Sequence, residues 1–485
     1  MKIQFNELIN KGLIFLKNGK FAQSEVCFIK ALNQYPKNIE IFTYLIPVLI
    51  HQNKILDAQK FAVKYFQLSH KSETSLVYMG IIYFKLNDLK KALLYFDMAL
   101  NINSENYDAN VNKGVILHKK NQNQNAAQYL KKAIQINPDK PIAYVSYASI
   151  CEDELNFEMA MRYLQKGITL NPKDFESIHA LSLLQLSCLD FINGWENYEL
   201  RWLKLNFKYR HDGIKKLSSL DDLAEKKILI WHEQGLGDTI QFSRYINILI
   251  ERGANITFEV QKPLLTFFQK QFKCLVVNNA ASNQYDYQLP LLSLPKLFNM
   301  NENNIPAIKE FFIADKEKYE FWKQELNLSK NKLNIGLAIS GNPNHLKEKR
   351  RQISLEYFNK FIDEFKIYLI QKDLGEEDLK NINLGQDIIF LGKNHHWENF
   401  LDTSAIVANM DLIVSIDTSL IHLAGSMNKK SILLLSKIAD WRWSIETRDQ
   451  SKWYESVRII KQVKNNDWLS VINKLKLTIR KIYYE

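Results

Sequence analysis

The sequence lacks the features that mark secreted, metal-binding and membrane proteins. Its four cysteines, among 485 residues, lie far apart and form no Cys-x-x-Cys pair, which argues against a disulfide framework or a zinc site. The most apolar early segment, IFTYLIPVLI, is half as long as a membrane span and contains Pro47. The first residues, MKIQFNELIN, lack the apolar core of a signal peptide. We therefore expect a soluble, cytoplasmic protein with no membrane span.

Blocks of like charge are also missing. The formal net charge is +11, but residues 1–226 hold 29 Lys+Arg against 23 Asp+Glu, and the remainder holds 35 against 30. Because neither half is a basic module, we expect no nucleic-acid partner. A mildly basic surface with some positive charge near a phosphate site accounts for the excess equally well. The length predicts two or three domains of ordinary globular composition.

The first two-fifths of the chain repeats every 34 residues. Small residues recur at this step in three columns, and proline recurs in a fourth. The columns are Ser24, Ala58, Ala92, Ala126, Ala160; Ala31, Tyr65, Ala99, Ala133, Gly167; Gly12, Ile46, Gly80, Gly114, Ala148; and Pro36, Pro138, Pro172. Small residues let paired helices approach closely, and proline ends the second helix of each pair. The pattern predicts five helix pairs, of which the second is degenerate.

These columns resemble the tetratricopeptide repeat, as in AAQYLKKAIQINPDKPIAYVSYA. Stacked repeats of this kind present a concave face that binds other chains, so we expect a protein, peptide or glycan acceptor there; a scaffold or dimerisation role is the alternative. One column of the first helices lies at the expected binding positions but is not uniform: Asn10, Tyr44, Tyr78, Asn112 and Ser146. It identifies no particular ligand.

From residue 227 the pattern changes to short apolar runs that alternate with helical sequence. The predicted strands lie in KKILIWHE, ANITFEVQ, KCLVVNN, NKLNIGLAIS, FKIYLIQKD, QDIIFLG, MDLIVSIDTS and KSILLLS, and YDYQLPLLSLPKLF continues the first lobe. Such alternation predicts parallel sheets in two α/β lobes. Ligands bind at the carboxyl ends of strands in these sheets, which directs attention to the loops EQGLGD, SGNPNH, QKD and DTSLIH.

Those loops, together with DWRW and WYESVRIIKQ, resemble the family 9, heptosyltransferase-type glycosyltransferases, and the whole chain resembles bacterial proteins that join tetratricopeptide repeats to such a domain. Its layout is also similar to that of O-linked N-acetylglucosamine transferases, whose own catalytic motifs are not visible. The resemblance implies a GT-B fold, inversion at the anomeric carbon, no cofactor and no bound metal. It departs from the family at HLKEKRRQIS and at Ser436 and Lys437, where proline is usual.

Asp238 stands where a strand turns into a helix, after Gly235 and Gly237. An Asp in this position is expected to cap the helix, and the resemblance implies that it is also the catalytic base for an acceptor hydroxyl. The dinucleotide fingerprint is not satisfied, since its third glycine would fall at Ile240. Glu259 still resembles an acid that binds a ribose, so an NAD-linked oxidoreductase remains an alternative.

The second lobe carries the expected donor-binding groups. Thr418 and His422 are four residues apart and share a helix face. Asp417, Thr418 and Ser419 begin that helix, where backbone N–H groups favour phosphate, and His422 is expected to act in catalysis beside them. The remaining donor-binding candidates are Gly237, Ser340, Gly341, Asn342, Arg351 and Lys372, with Arg350 as an alternative to Arg351. Trp441, Arg442 and Trp443 could stack a base or close a core, and the pair His395–His396 lacks a third metal ligand.

Taken together, we expect repeats over 1–174, bridging helices over 175–226, an acceptor-side Rossmann-like lobe over 227–325 and a nucleotide-sugar lobe over 326–485. The predicted function is transfer of a sugar from a nucleotide-sugar donor to an acceptor held by the repeats. A non-catalytic scaffold with a decayed transferase domain is the main alternative.

Overall fold

A computed structural model describes residues 2–204, 209–233, 235–281, 284–308, 311–341, 348–372, 374–375, 378–379, 388–394, 397, 399–443 and 449–483. The chain forms two compact units, Met1–Ser177 and Ile178–Glu485. The first is helical, and the second contains all ten of the strands in the described residues.

The first unit is built from helix pairs that keep the 34-residue step. The first helices of the pairs are α1 (Lys2–Lys17), α3 (Ile39–His51), α5 (Glu73–Lys85), α7 (Tyr107–Lys119) and α9 (Pro141–Asp153). The second helices are α2 (Phe21–Gln34), α4 (Ile55–Leu68), α6 (Leu89–Ile102), α8 (Asn123–Ile136) and α10 (Phe157–Leu170). The predicted pairs are confirmed.

The glycine column lets the two helices of a pair touch. A Cβ atom at Gly80 would lie 2.6 Å from the Phe96 ring, and one at Gly114 would lie 2.7 Å from Leu130. In the degenerate second pair the large and the small residue are interchanged. Ile46 stands in the glycine column, and Ala62 stands where the other pairs have Phe or Leu. Both are fully buried. The exchange conserves core volume, which packed interiors tolerate well.

The turns between paired helices share one backbone conformation. A residue with positive φ recurs every 34 residues, at Gly19, Asn53, Asn87, Asn121, Leu155 and Leu189. Glycine and asparagine adopt this left-handed region readily, whereas leucine does not. The last position lies between α11 (Phe175–Ser187) and α12 (Phe191–Tyr198), so this sixth helix pair keeps the repeat step more regularly than the sequence predicted.

The second unit contains two parallel sheets. The strands are β1 (Lys227–Trp231), β2 (Asn255–Glu259), β3 (Leu275–Val277), β4 (Tyr287–Pro290), β5 (Leu333–Ala338), β6 (Phe365–Leu369), β7 (Ile388–Phe390), β8 (Leu412–Ile416), β9 (Ser431–Leu435) and β10 (Val457–Lys461). Eight of the first nine confirm predicted apolar runs, and β4 lies in the segment that was expected only to continue the first lobe. Their order is β3-β2-β1-β4 in one sheet and β10-β9-β8-β5-β6-β7 in the other, with every strand pairing parallel.

Helices connect the strands, as expected for parallel sheets. They are α13 (Leu236–Phe242), α14 (Arg244–Glu251), α15 (Lys262–Gln271), α16 (Leu294–Leu297), α17 (Lys316–Glu325), α18 (Glu348–Arg351), α19 (Leu391–Asn394), α20 (Phe400–Asn409), α21 (Ser419–Ser426) and α22 (Trp468–Tyr483). The helical segment after β1 is divided at Ser243, whose hydroxyl donates to the carbonyl of Ile240 at 2.8 Å.

Both sheets share a winding rule that determines where a ligand can bind. In each sheet, the second and third strands in chain order lie on one side of the first strand, and the fourth lies on its other side. The direction in which strands are added therefore reverses between β1 and β4 and between β5 and β8, although all of these strands are parallel. A crevice opens at such a switch, beyond the carboxyl ends of the strands. Buried apolar residues from both sheets form one continuous core, which fixes the two sheets relative to each other.

Candidate functional site

Loops that follow five of the strands line one cavity of about 580 Å³ in the second unit. They come after β1, β2, β5, β8 and β9. The wall contains Gly235, Leu236, Gly237, Asp238, Gln261, Gly341, Arg350, Arg351, Asp417, Thr418, Ser419, His422, Leu434, Leu435, Ser436, Ile438, Ala439, Asp440 and Arg442. Most of the predicted site residues therefore lie together, at the edge where parallel sheets bind ligands.

The corner after β1 holds Asp238 in a different role from the one predicted. Gly235, not Asp238, is the N-cap of α13, and Asp238 is the third helical residue. Its Oδ2 accepts a hydrogen bond from the backbone N–H of Gly235 at 2.8 Å. This contact, one half of a capping box, satisfies the N–H group of the N-cap residue. The simple N-cap prediction is wrong, because the helix begins at Leu236, three residues earlier than an N-cap at Asp238 would require.

The other oxygen of Asp238 is bound by Arg442. Nη2 of Arg442 donates to Asp238 Oδ1, Nη1 donates to Asp440 Oδ1 at 2.7 Å, and Nε donates to Gln241 Oε1 at 3.0 Å. The guanidinium is 9% exposed. Burial opposes its charge, but Asp238 and Asp440 outweigh burial and raise the pKa of Arg442. One cation therefore joins two carboxylates, one beyond each sheet.

The corners after β1 and β8 touch each other. A Cβ atom at Gly237 would lie 2.9 Å from Cδ2 of His422 and 3.5 Å from Cα of Ser419. Only glycine allows this approach of α13 to α21. The two corners are in contact, and the cavity opens beside the contact.

His422 is buried at this contact and is 3% exposed. Its Nδ1 lies 3.0 Å from the Tyr454 hydroxyl, and its ring stacks on Trp443 with centroids 5.2 Å apart. Burial and the nearby Arg442 lower the pKa of His422 to about 3. The imidazole is therefore neutral near pH 7, so one of its ring nitrogens can donate a hydrogen bond and the other can accept one.

The start of α21 has the geometry of an anion site. Thr418 is the N-cap, and its hydroxyl accepts from the backbone N–H of Leu420 at 3.3 Å and lies 3.2 Å from Ser415 Oγ. Asp417, Thr418 and Ser419 begin the helix as predicted. Because the dipole of α21 is positive at this end, the corner favours a phosphate group in the cavity.

Arginine supplies the positive charge of the wall. Nη1 of Arg351 donates to the backbone carbonyl of Asp417 at 2.6 Å, which places the guanidinium beside the start of α21. Arg350 is also in the wall. Burial and the carboxylate of Asp440 raise the pKa of Asp417 to about 6, although Arg442 and Arg351 oppose the shift. Asp417 is thus an acid that changes charge near neutral pH.

Several predicted residues lie elsewhere. Ser340 accepts a hydrogen bond from the Gln371 side chain at 2.8 Å and is absent from the described cavity wall, as is the exposed Lys372. Asn342 and the pair His395–His396 lie outside the described residues. Trp441 and Trp443 are buried, so they close the core as the simpler interpretation held.

Glu259 does not reach the cavity. It is 1% exposed, and its carboxylate binds Arg210 at 2.8 Å and His211 at 3.0 Å. A carboxylate with these partners is not available to a ribose hydroxyl. The geometry thus removes the residue on which the NAD alternative depended.

The sequence does not predict Asp440 as a site residue, and it suggests Arg442 only as part of an aromatic segment that could stack a base. The tryptophans of this segment, DWRW, indicate stacking or core packing, and they give no sign of an ion pair. Arg442 reaches Asp238 across 204 residues of chain. No local sequence pattern predicts a contact between residues so far apart in the chain.

A second cavity, of about 610 Å³, is less suited to a charged ligand. Its wall comprises Asn247, Lys270, Gln271 and residues 311–315. Lys270 and Asp315 form an ion pair with each other there, so each charge is directed at the other and not at a ligand. Its polar side chains thus mainly serve the local fold.

The column of first-helix residues in the repeats is partly occupied with internal contacts. The Tyr44 hydroxyl donates to Glu40 at 3.0 Å, the Tyr78 hydroxyl donates to the carbonyl of Thr43 at 3.1 Å, and Asn112 donates to the carbonyl of Asp108 at 2.8 Å. All three side chains are partly exposed. They can contribute to a surface, but they specify no ligand.

Comparison with known proteins defines the class of the helical unit. The sequence profile of the tetratricopeptide repeat matches residues 107–140 and 142–174, which correspond to α7–α10. The chain therefore contains tetratricopeptide repeats, and a role in protein interaction is the one that such repeats support.

Individual similar proteins are distant. Protein FlbA of Caulobacter vibrioides is 22% identical over 329 residues, which cover 59% of this chain and 52% of FlbA. The chain thus spans about half the length of that curated relative. A thermophilic repeat protein of Thermus thermophilus matches with a TM-score of 0.35 and 16% identity, covering 38% of this chain and 99% of that chain. A tetratricopeptide repeat protein of Parabacteroides merdae matches with a TM-score of 0.32 and 21% identity, covering 40% and 78%.

Within the described residues, no helix combines the length and the apolar character needed to cross a bilayer.

Proposed function

We propose that the protein is a glycosyltransferase of the GT-B type, which moves a sugar from a nucleotide-sugar donor to an acceptor. One observation carries the proposal: the start of α21, two arginines and the corner of Asp238 share one cavity at the carboxyl ends of two parallel sheets. A donor of this class has a diphosphate that needs cations and helix N–H groups, and a sugar that needs hydroxyl partners. The cavity supplies both within its 580 Å³.

The residues support distinct roles in the proposed reaction. Arg350, Arg351 and the start of α21 would neutralise the diphosphate as it leaves. The neutral imidazole of His422 would orient the sugar. Asp238 would take the proton of the acceptor hydroxyl, since it reaches the cavity from the opposite sheet. None of these roles calls for a metal ion, and a base that activates the acceptor for direct attack makes the proposed transfer inverting, as the family resemblance implies.

The repeats supply the second part of the proposed function. Stacked helix pairs bind extended chains over a large surface, so the first unit would recruit a protein or glycan acceptor. A purely non-catalytic scaffold is the competing proposal, and it predicts that the cavity binds no donor.

A thermal-shift panel separates these functions. UDP-, GDP-, ADP- and CMP-sugars and NAD would each be added to the wild-type protein and to His422→Ala. We expect one nucleotide sugar to raise the melting temperature of the wild-type protein by several degrees and to leave His422→Ala unchanged. His118→Ala, which removes a histidine paired with Asp153 in the first unit, is the matched control. A response to NAD alone, or to no nucleotide sugar, contradicts the proposal.

A further inference from the structure

Arg442 is placed so that its guanidinium could bind either the carboxylate of Asp238, the proposed base, or the diphosphate leaving group. It lies in the cavity wall with Arg350 and Arg351, yet its guanidinium is held by Asp238 and Asp440. Trp441 stacks against it with its ring centroid 4.3 Å from the guanidinium carbon. These contacts define one stable position for Arg442.

In this position Asp238 is a poor base. Its Oδ2 is used by the backbone N–H of Gly235, and its Oδ1 is used by Arg442. A carboxylate that is bound by a guanidinium holds its negative charge more firmly and accepts a proton less readily. The proposed reaction therefore requires Arg442 to release Oδ1 before the acceptor proton can move to it.

A diphosphate provides the means of release. It brings two or more negative charges into a wall where Arg442 already faces the carboxylates of Asp238 and Asp440. Arginine binds phosphate oxygens in the same forked geometry that it uses for carboxylates. A diphosphate beside α21 would thus compete directly with Asp238 for the guanidinium.

We propose that Arg442 is a donor-sensing residue: it binds Asp238 while the cavity is empty and transfers to the diphosphate when a nucleotide sugar enters, which frees Asp238 to act as base. This inference rests on the proposed function. The acceptor oxygen then forms its bond to the anomeric carbon, the bond from that carbon to the phosphate oxygen breaks, and its electron pair leaves on the diphosphate beside Arg442. The acceptor proton passes to Oδ1 of Asp238. The device prevents an activated base from forming before the donor is bound.

Inorganic pyrophosphate tests the competition without knowledge of the sugar, the base or the acceptor. Its affinity would be measured by isothermal titration calorimetry at pH 8 for four proteins: the wild type, Asp238→Asn, Arg442→Gln and the double variant. We expect Arg442→Gln to weaken binding about tenfold or more, because a charge-assisted contact is lost. Asp238→Asn is expected to tighten binding several-fold in the wild-type background and to have no effect in the Arg442→Gln background.

The double-variant comparison is decisive, because simple charge repulsion by Asp238 would tighten binding equally in both backgrounds. Equal effects in both backgrounds overturn the inference and leave the donor site standing. Undetectable pyrophosphate binding by the wild type overturns the donor site as well. Arg442→Lys keeps the charge and serves if Arg442→Gln does not fold; it is expected to retain part of the coupling. Arg480→Gln removes an arginine from the exposed pair with Glu364, outside the described cavity wall, and is expected to change nothing.

Discussion

At the scale of single residues, the chemistry of the cavity depends on charges that adjust one another. Asp238, Asp417 and Asp440 share the wall with three arginines, so the balance of charge is near zero before a ligand enters. Burial and the carboxylate of Asp440 raise the pKa of Asp417 in this set toward neutral pH. Its position beside the start of α21 means that its ionised form repels the same anion that the helix attracts.

Pyrophosphate binding should therefore depend on pH through Asp417. Its pKa of about 6 is above the ordinary value for an aspartate, so the group is protonated below pH 6 and ionised above it. We expect Asp417→Asn, which imitates the protonated form, to bind pyrophosphate like the wild type at pH 5.5 and about tenfold more tightly at pH 8, by the usual strength of a close charge pair. Calorimetry of both proteins at each pH cancels the titration of pyrophosphate itself. A ratio of affinities that stays constant from pH 5.5 to pH 8 contradicts the prediction.

At the scale of elements, most of the fold could be predicted because its determinants are local. The 34-residue columns predicted the helix pairs, and the apolar runs predicted eight strands, since periodicity and run length report directly on burial. The division of the helix at Ser243 has no such signal. The cap of α13 was also missed, because Asp238 is a residue type that commonly caps helices but is here the third residue of the helix.

The site was only partly predictable for a related reason. The loops after strands predicted that Gly237, Thr418 and His422 lie together, and all three line the same cavity. The contact between Arg442 and Asp238 depends on how the loop after β9 meets the loop after β1. Such a contact joins segments far apart in the chain, so it follows from packing and not from local pattern.

The left-handed turns of the repeats offer a test at this scale. Leu155 has φ of 61°, a conformation that costs a leucine about 1–2 kcal/mol and an asparagine less. We expect Leu155→Asn to raise the free energy of unfolding of the first unit by about 0.5–1 kcal/mol, as is common where a residue is matched to its backbone conformation. The reverse change, Asn121→Leu, should lower it by a similar amount. Denaturation in guanidinium chloride, followed by circular dichroism, measures the free energy of unfolding of both variants. A lower value for Leu155→Asn would contradict the prediction, because it would show that packing of the partly buried leucine stabilises the unit by more than its backbone strain destabilises it.

At the scale of the whole molecule, the two units have separate proposed roles: the second unit binds the donor, and the first recruits the acceptor. The second unit contains every described residue of the cavity, and the first unit contains none of them. Donor binding and acceptor recruitment should therefore be separable by substitution. A chain that had the repeats for stability alone would not show this separation.

The final prediction uses that separation. Tyr44→Ser combined with Asn112→Ala alters two partly exposed first-helix positions of the repeats without changing a cavity residue. We expect the double variant to bind pyrophosphate as the wild type does, while transfer of labelled sugar to acceptor proteins falls about tenfold or more, in line with the loss of two interface contacts. Leu94→Ala, at an exposed position of α6, is the matched control and should leave transfer unchanged. Calorimetry and labelled-donor assays on the same preparations measure pyrophosphate binding and sugar transfer. Equal losses of binding and transfer would mean that the substitutions disturb folding. Unchanged transfer would mean that acceptor recognition lies away from these helices.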